Sequence, residues 1–220
     1  MKKFIVLFLC LLIFPLCKAQ SLVENSSTLT NNTIRYKPLR IAVSIGLGLK
    51  HTTLSDQLYD DEDIELAFGY PIEADIDYYF NDYLGCGITM STFNVEGVSV
   101  PFLVHNTNTL FIGPVFASRF FNHSKKNRFN INFSIGYLGY TDNYHEYDRP
   151  SKHIKFNTIG ILTAFGYDIG LNKDFGIGFQ FSFLLGGITK DGNYEYPYYS
   201  TYGRQNLSRL SLTIGLRLNP

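Results

Sequence analysis

From Leu39 to Leu49 the odd positions are large aliphatics (Leu39, Ile41, Val43, Ile45, Leu47, Leu49) and the even positions are small or polar. A period of two predicts a β-strand and excludes an amphipathic helix. Seven more segments repeat the pattern. Ile72, Ala74, Ile76, Tyr78 and Phe80 alternate with Glu73, Asp75, Asp77 and Tyr79, and after Asn81-Asp82 the run Leu84, Cys86, Ile88, Met90 alternates with Gly85, Gly87, Thr89 and Ser91. The fourth segment, near Thr109 to Arg119, carries Leu110, Ile112 and Phe116 on one face. Pro114 inside it predicts a bulge or a strained edge position, since proline has no N–H for a ladder. The fifth sets Phe129, Ile131, Phe133, Ile135 and Tyr137 against Asn130, Asn132, Ser134 and Gly136; the sixth sets Ile159, Ile161, Thr163, Phe165 and Tyr167 against Thr158, Gly160, Ala164, Gly166 and Asp168. The seventh alternates Phe175, Ile177, Phe179, Phe181 and Phe183 with Gly176, Gly178, Gln180 and Ser182, and the eighth alternates Leu210 to Leu218 with Arg209, Ser211, Thr213, Gly215 and Arg217.

Connection lengths add the topology. Asn81-Asp82, Asn122 to Asn127 and Leu171 to Lys173 are short turns, whereas the other four connections run about 13 to 20 residues. Strict alternation of short and long connections is the pattern of an outer-membrane barrel, with turns at one rim and loops at the other. Strands of about 10 to 12 residues tilted near 45° rise roughly 25 Å, the height of the lipid-facing band. An eight-stranded barrel has an interior only wide enough for side chains, so the Gly, Ser, Ala, Thr and charged positions are assigned inward. The Leu, Ile, Val and Phe set then faces hydrocarbon, where it is at home; in water it would aggregate. The expected fold is all-β: an eight-stranded antiparallel up-and-down transmembrane β-barrel.

Residues ahead of the barrel read differently. Met1-Lys2-Lys3, the apolar run Phe4 to Leu16 and Ala19 before Gln20 form a signal-peptide pattern over residues 1–19. Residues 20–38 are expected to be a flexible periplasmic leader and residues 39–220 the barrel. Processing would leave 16 basic and 19 acidic groups, a formal charge of −3, and one cysteine, Cys86. That charge offers no field for a nucleic-acid partner, and one cysteine excludes an intramolecular disulfide. No Trp is present, and the Gly-rich face is unlike the charged exterior of a lipocalin-type soluble barrel.

The signal, the eight amphipathic segments, the three tight turns, the four long loops and the ending Leu216-Arg217-Leu218 resemble the small Gram-negative outer-membrane barrels of OmpA/OmpX type. Gly- and Tyr-rich strands and the Lys18-Ala19-Gln20 context are similar to those of porin-family or PorT-like outer-membrane β-barrel domain proteins. The resemblance implies residence in the bacterial outer membrane, contact with its lipid, and insertion by the barrel-assembly machinery. It implies a structural or surface-binding role, or that of a PorT-like accessory of protein secretion, with an extracellular or periplasmic protein partner and a monomeric barrel. Members usually end on an aromatic; this chain ends Asn219-Pro220, with Leu218 as the substitute.

Candidate chemistry lies mainly in charge. Glu73, Asp75 and Asp77 share the inward face with Arg40, Arg209 and Arg217. A first strand lying between the second and the last would bring Arg40, Asp77 and Arg217 together near the periplasmic rim and Glu73 and Arg209 nearer the outer rim. Asp75 and Asp77 are set against Arg40 and Arg217. Buried charge persists only when paired, so the expectation is a salt-bridged plug that closes the lumen; the alternative is an ion or proton path. The last long loop carries Tyr194, Tyr196, Tyr198, Tyr199 and Tyr202, large rigid contact residues suited to recognition or to an interfacial girdle. Asp60, Asp61, Glu62, Asp63 and Glu65 form an acidic first loop without EF-hand spacing, expected to be solvated. His51, His105, His123, His145 and His153 fall in loops, turns or strand ends without metal-ligand spacing. Ser151 beside His145 and His153 lacks a nucleophile elbow, so no catalytic residue, cofactor or metal is expected. A barrel-borne lipid-modifying enzyme and a narrow pore are the remaining alternatives.

Overall fold

A computed structural model describes residues 37–54, 63–96, 103–122, 126–146, 152–190 and 203–219. The expected signal peptide, the leader through Tyr36, and the outer-loop residues Asp60, Asp61, Glu62, Tyr194, Tyr196, Tyr198, Tyr199 and Tyr202 lie outside these residues.

Ten strands are described: β1 (Leu39–Leu54), β2 (Asp63–Tyr79), β3 (Leu84–Glu96), β4 (Leu103–Phe121), β5 (Asn127–Glu146), β6 (Lys152–Gly170), β7 (Phe175–Leu185), β8 (Gly187–Lys190), β9 (Gly203–Asn206) and β10 (Arg209–Leu218). Eight of them close a barrel in the order β1-β10-β7-β6-β5-β4-β3-β2, and β8-β9 form a separate two-stranded hairpin between β7 and β10. Every ladder is antiparallel. The seam between first and last wall strands runs from Ile41↔Leu218 to Lys50↔Arg209. The expected eight-stranded meander is the observed one.

Alternation resolves into two faces as the period-two argument requires. Arg40, Ala42, Ser44 and Lys50 are buried, whereas Ile45 and Leu47 are 61% and 62% exposed. On β7 every outward position from Phe175 to Leu185 is apolar, and its 11 residues span roughly 25 Å at the usual rise and tilt. Exposure of this many large apolar side chains fits hydrocarbon rather than water.

Tight turns close the rim that holds both the start of β1 and the end of β10. Each rests on an Asn side chain, whose short amide mimics a backbone turn. Asn81 Oδ1 accepts from Tyr83 N and Leu84 N, both at 2.8 Å, and Asn172 Oδ1 accepts from Asp174 N at 2.9 Å and Phe175 N at 2.8 Å. Asn122 Oδ1 accepts from Asn127 N at 3.3 Å.

Three expectations need correction. The long connections are shorter than their count suggested, because β1, β2, β4, β5 and β6 extend well past the apolar run and reach 16 to 20 residues. His51, His105, His145 and His153 lie at strand ends, as expected, in the last residues of β1 and β5 and the first of β4 and β6. Pro114 makes no bulge: the β4–β5 ladder has Ile112↔Tyr137 and Val115↔Ser134 in one register, so the missing donor interrupts pairing without adding a residue. A closed barrel also leaves Pro114 no edge to occupy. Finally, the interior is not uniformly small. Phe111, Leu138, Leu162, Leu184 and Leu207 form a buried apolar cluster with Tyr140. Large inward groups fit where the facing wall is glycine: a Cβ on Gly48 would stand 2.6 Å from the Phe93 ring, and one on Gly186 would stand 2.2 Å from Leu138 Cδ2.

Candidate functional site

The inward faces of β1, β2, β5, β6 and β10 place their charges at one level of the barrel. Asp168 is at the centre. Its Oδ2 accepts from Arg40 Nε at 3.0 Å, Arg128 Nε at 2.9 Å and Asn130 Nδ2 at 2.9 Å, and its Oδ1 accepts from Arg217 Nε at 2.9 Å. Arg40 Nη1 reaches on to Asp77 Oδ2 at 2.8 Å and to Asp75 Oδ2 at 3.9 Å, so three guanidinium groups face three carboxylates. Arg40, Asp77, Asp168 and Arg217 all have no measurable exposure. Thr89 Oγ1 donates to Asp75 at 2.6 Å and Arg217 Nη1 donates to Ser44 Oγ at 2.8 Å. Such dense bonding is what allows buried charge to persist. Local sequence makes the room: a Cβ on Gly178 would stand 2.4 Å from both Arg217 Nε and Asp168 Oδ1.

Nearer the outer side, Glu73 is held by neutral donors. It accepts from Ser182 Oγ at 2.5 Å, Gln180 Nε2 at 3.0 Å and Thr213 Oγ1 at 3.2 Å. Ser91 Oγ donates to Glu73 Oε1 at 3.4 Å and itself accepts from Arg209 Nη2. The Arg209 guanidinium lies 4.9 Å from the Phe93 ring centroid, a cation–π contact. Arg209 thus acts on Glu73 through a serine hydroxyl, not by direct contact.

At the turn-side mouth, Asn219 adopts a left-handed conformation, φ 55°, which Asn tolerates better than most residues. Its N–H donates to Asp174 O at 2.7 Å, its Nδ2 donates to Leu39 O at 3.0 Å, and its own carbonyl accepts from Arg128 Nη1 at 3.2 Å. Lys37 Nζ donates to Asn219 Oδ1 at 2.9 Å and to Asp174 Oδ1. That contact holds the Asp174 carboxyl below the usual carboxylate range. Arg119 stacks 3.9 Å from the Tyr79 ring centroid and donates to the carbonyls of Asp82 and Lys37 at 3.0 and 3.3 Å.

Of the residues singled out in the sequence, Arg40, Asp75, Asp77 and Arg217 lie in one cluster, and Glu73 and Arg209 in a second. The pairing differs from expectation in one respect: Arg217 bonds Asp168 rather than Asp75 or Asp77. Asp168, Arg128 and Asn130 are the members sequence reasoning did not single out. Asp168 and Asn130 were visible as inward positions; Arg128 sits one period before Asn130 on the same face.

A closed barrel with a broad apolar band outside and a cluster of paired charges inside is the architecture of a transmembrane β-barrel of the bacterial outer-membrane type. Comparison of folds agrees. The structure is similar to Neisserial surface protein A, with 11% identity, a TM-score of 0.53, and coverage of 84% of this chain and 98% of that one. It is also similar to the attachment invasion locus protein of Yersinia pestis bound to the heparin analogue sucrose octasulfate, with 11% identity, a TM-score of 0.48, and coverage of 82% and 99%. A third is OprG from Pseudomonas aeruginosa, with 8% identity, a TM-score of 0.46, and coverage of 83% and 96%. No protein-family profile and no curated protein sequence matches the chain.

Proposed function

We propose that this protein is an integral outer-membrane barrel with a sealed lumen, serving as a rigid anchor that presents its outer strands and loops at the cell surface in a structural or surface-binding role. The observation that carries this reading is Asp168, which draws Arg40, Arg128 and Arg217 from three other wall strands to one point inside the barrel. A solute moving along the axis would have to part ion pairs in a low-dielectric interior, and an eight-stranded wall has no width to spare. The charged groups are engaged with one another, so the reading includes no catalytic step.

Two measurements test it together. Folded protein in liposomes is expected to cause no swelling with small sugars or amino acids. On intact cells, a tag inserted near Asp61 or Tyr198 is expected to be accessible and one near Asn81 or Asn172 protected. Rapid swelling would contradict the sealed lumen, and equal access at both rims would contradict the orientation.

A further inference from the structure

Where the apolar band ends, the outward face of β3 to β6 turns polar. On β7, β10 and β1 every described outward position between Leu39 and Leu49, Phe175 and Leu185, or Leu210 and Leu218 is Leu, Ile, Val or Phe. On β3 to β6 the outward positions instead become amides. Adjacent ladders align Asn94↔Asn108, Asn108↔Thr141 and Thr141↔Lys155, with Asn106↔Asn143 one period further out. Asn157 lies across from Gly139, one period nearer the membrane. Directly below runs the apolar row Met90, Ile112, Tyr137 and Ile159. The patch therefore starts where the hydrocarbon ends, at the height of the lipid headgroups.

At its membrane-side edge is an aromatic surface. Tyr137 does not stand away from the wall but lies over Gly139, where a Cβ would come within 3.1 Å of its ring and hydroxyl. Its hydroxyl donates to Asn157 Oδ1, which fixes the ring in place. The side chain remains 48% exposed. An aromatic face bordered by side-chain amides matches a pyranose: the ring stacks on the apolar face of the sugar, and each amide can both donate to and accept from its hydroxyls. Lys155, exposed at the edge of the same patch, adds a point charge suited to a phosphate.

We propose that this β3–β6 patch binds the phosphorylated sugar headgroup of an outer-leaflet glycolipid, with Tyr137 as the stacking platform and Asn108, Asn157 and Lys155 as polar contacts. The proposal rests on the outer-membrane reading above, which an independent check of folding separates from it.

The test uses the folded protein in nanodiscs, with purified lipopolysaccharide as the probe and phosphatidylglycerol as the comparison lipid. Tyr137→Leu keeps an apolar residue against lipid but removes the platform, and Gly139→Ala places a methyl 3.1 Å from the ring and its hydroxyl, which must shift to admit it. Tyr137→Leu is expected to weaken lipopolysaccharide binding at least tenfold and Gly139→Ala to weaken it by a smaller factor, while phosphatidylglycerol association and the heat-dependent gel shift are unchanged. Tyr137→Phe, which keeps the ring, is expected to lose less than Tyr137→Leu. Lys155→Gln is expected to weaken binding of phosphorylated more than dephosphorylated lipopolysaccharide. Wild-type affinity in both Tyr137→Leu and Gly139→Ala would overturn the proposal, as would an equal loss toward phosphatidylglycerol. Failure of the wild-type protein to fold in detergent or nanodiscs would instead contradict the membrane reading.

Discussion

Asp168 is a single carboxylate that accepts from three guanidinium groups and an amide. Replacing it by Asn keeps the shape but leaves three arginines facing only Asp75 and Asp77. Removing one partner from a buried ion cluster typically costs about 3 to 5 kcal/mol. Asp168→Asn is therefore expected to lower barrel stability by that order in denaturant titrations in detergent, read by the heat-dependent gel shift. Lys173→Gln, on an exposed turn, is expected to stay within about 0.5 kcal/mol of wild type. Gly178→Ala is expected to act like Asp168→Asn although it alters no charge, because its methyl group would occupy the place of the Arg217–Asp168 contact. If Asp77→Asn and Arg40→Met are each more damaging than the double replacement, the pair is coupled as its 2.8 Å contact requires. Additive losses would show that the two side chains act independently.

Single strands show what was legible in the sequence and why the rest was not. Period-two alternation marks β7 and β10 almost to the residue, because their outward positions stay apolar from end to end, and marks β1 as far as Leu49. It fails on the outer halves of β3 to β6 for a physical reason: outward positions such as Asn94, Asn106 and Asn143 are polar amides rather than lipid-facing apolar groups. Alternation there is lost although the hydrogen-bonded ladder continues, so strand reads as loop. Inward parity marked Asp168 as interior, but partner choice depends on how far the ladders are staggered when the barrel closes. Arg40 and Asp168, 128 positions apart in the chain, meet only after closure. The short turns offer an element-scale prediction. Asp174 is stabilised in its charged form by Lys37, so its contribution to the clasp is present above the unfolded carboxylate pKa near 3.9 and is lost as pH falls below it. Hydrogen exchange at the Asn219 amide, which donates to Asp174 O, is expected to hold steady from pH 6 to about pH 4 and to quicken below it, after correction for intrinsic rate. Lys37→Met should abolish most of that dependence; an unchanged pH response in this variant would remove Lys37 from the clasp.

Across the whole molecule the same side chains divide the lumen into layers. Arg128 bonded to Asn219 joins the turn-side mouth to the Asp168 cluster; above that cluster sits Glu73 among its hydroxyl and amide donors, and a buried apolar group around Phe111 and Leu138 completes the filling. In the charged layers Arg40 on β1 reaches Asp168 on β6 and Glu73 on β2 reaches Ser182 on β7, so these contacts tie together wall strands that are not neighbours. The sealed lumen proposed above would give stability and closure one cause, and a change that frees the charges should then open the interior as well as weaken the fold. The most direct measurement is conductance across a planar bilayer for the wild-type protein and for Asp168→Asn. Wild type is expected to give no stable open channel, and the variant, while it remains folded, to show measurable ion leakage. A large, steady channel in the wild-type protein would contradict the sealed lumen on which the account depends.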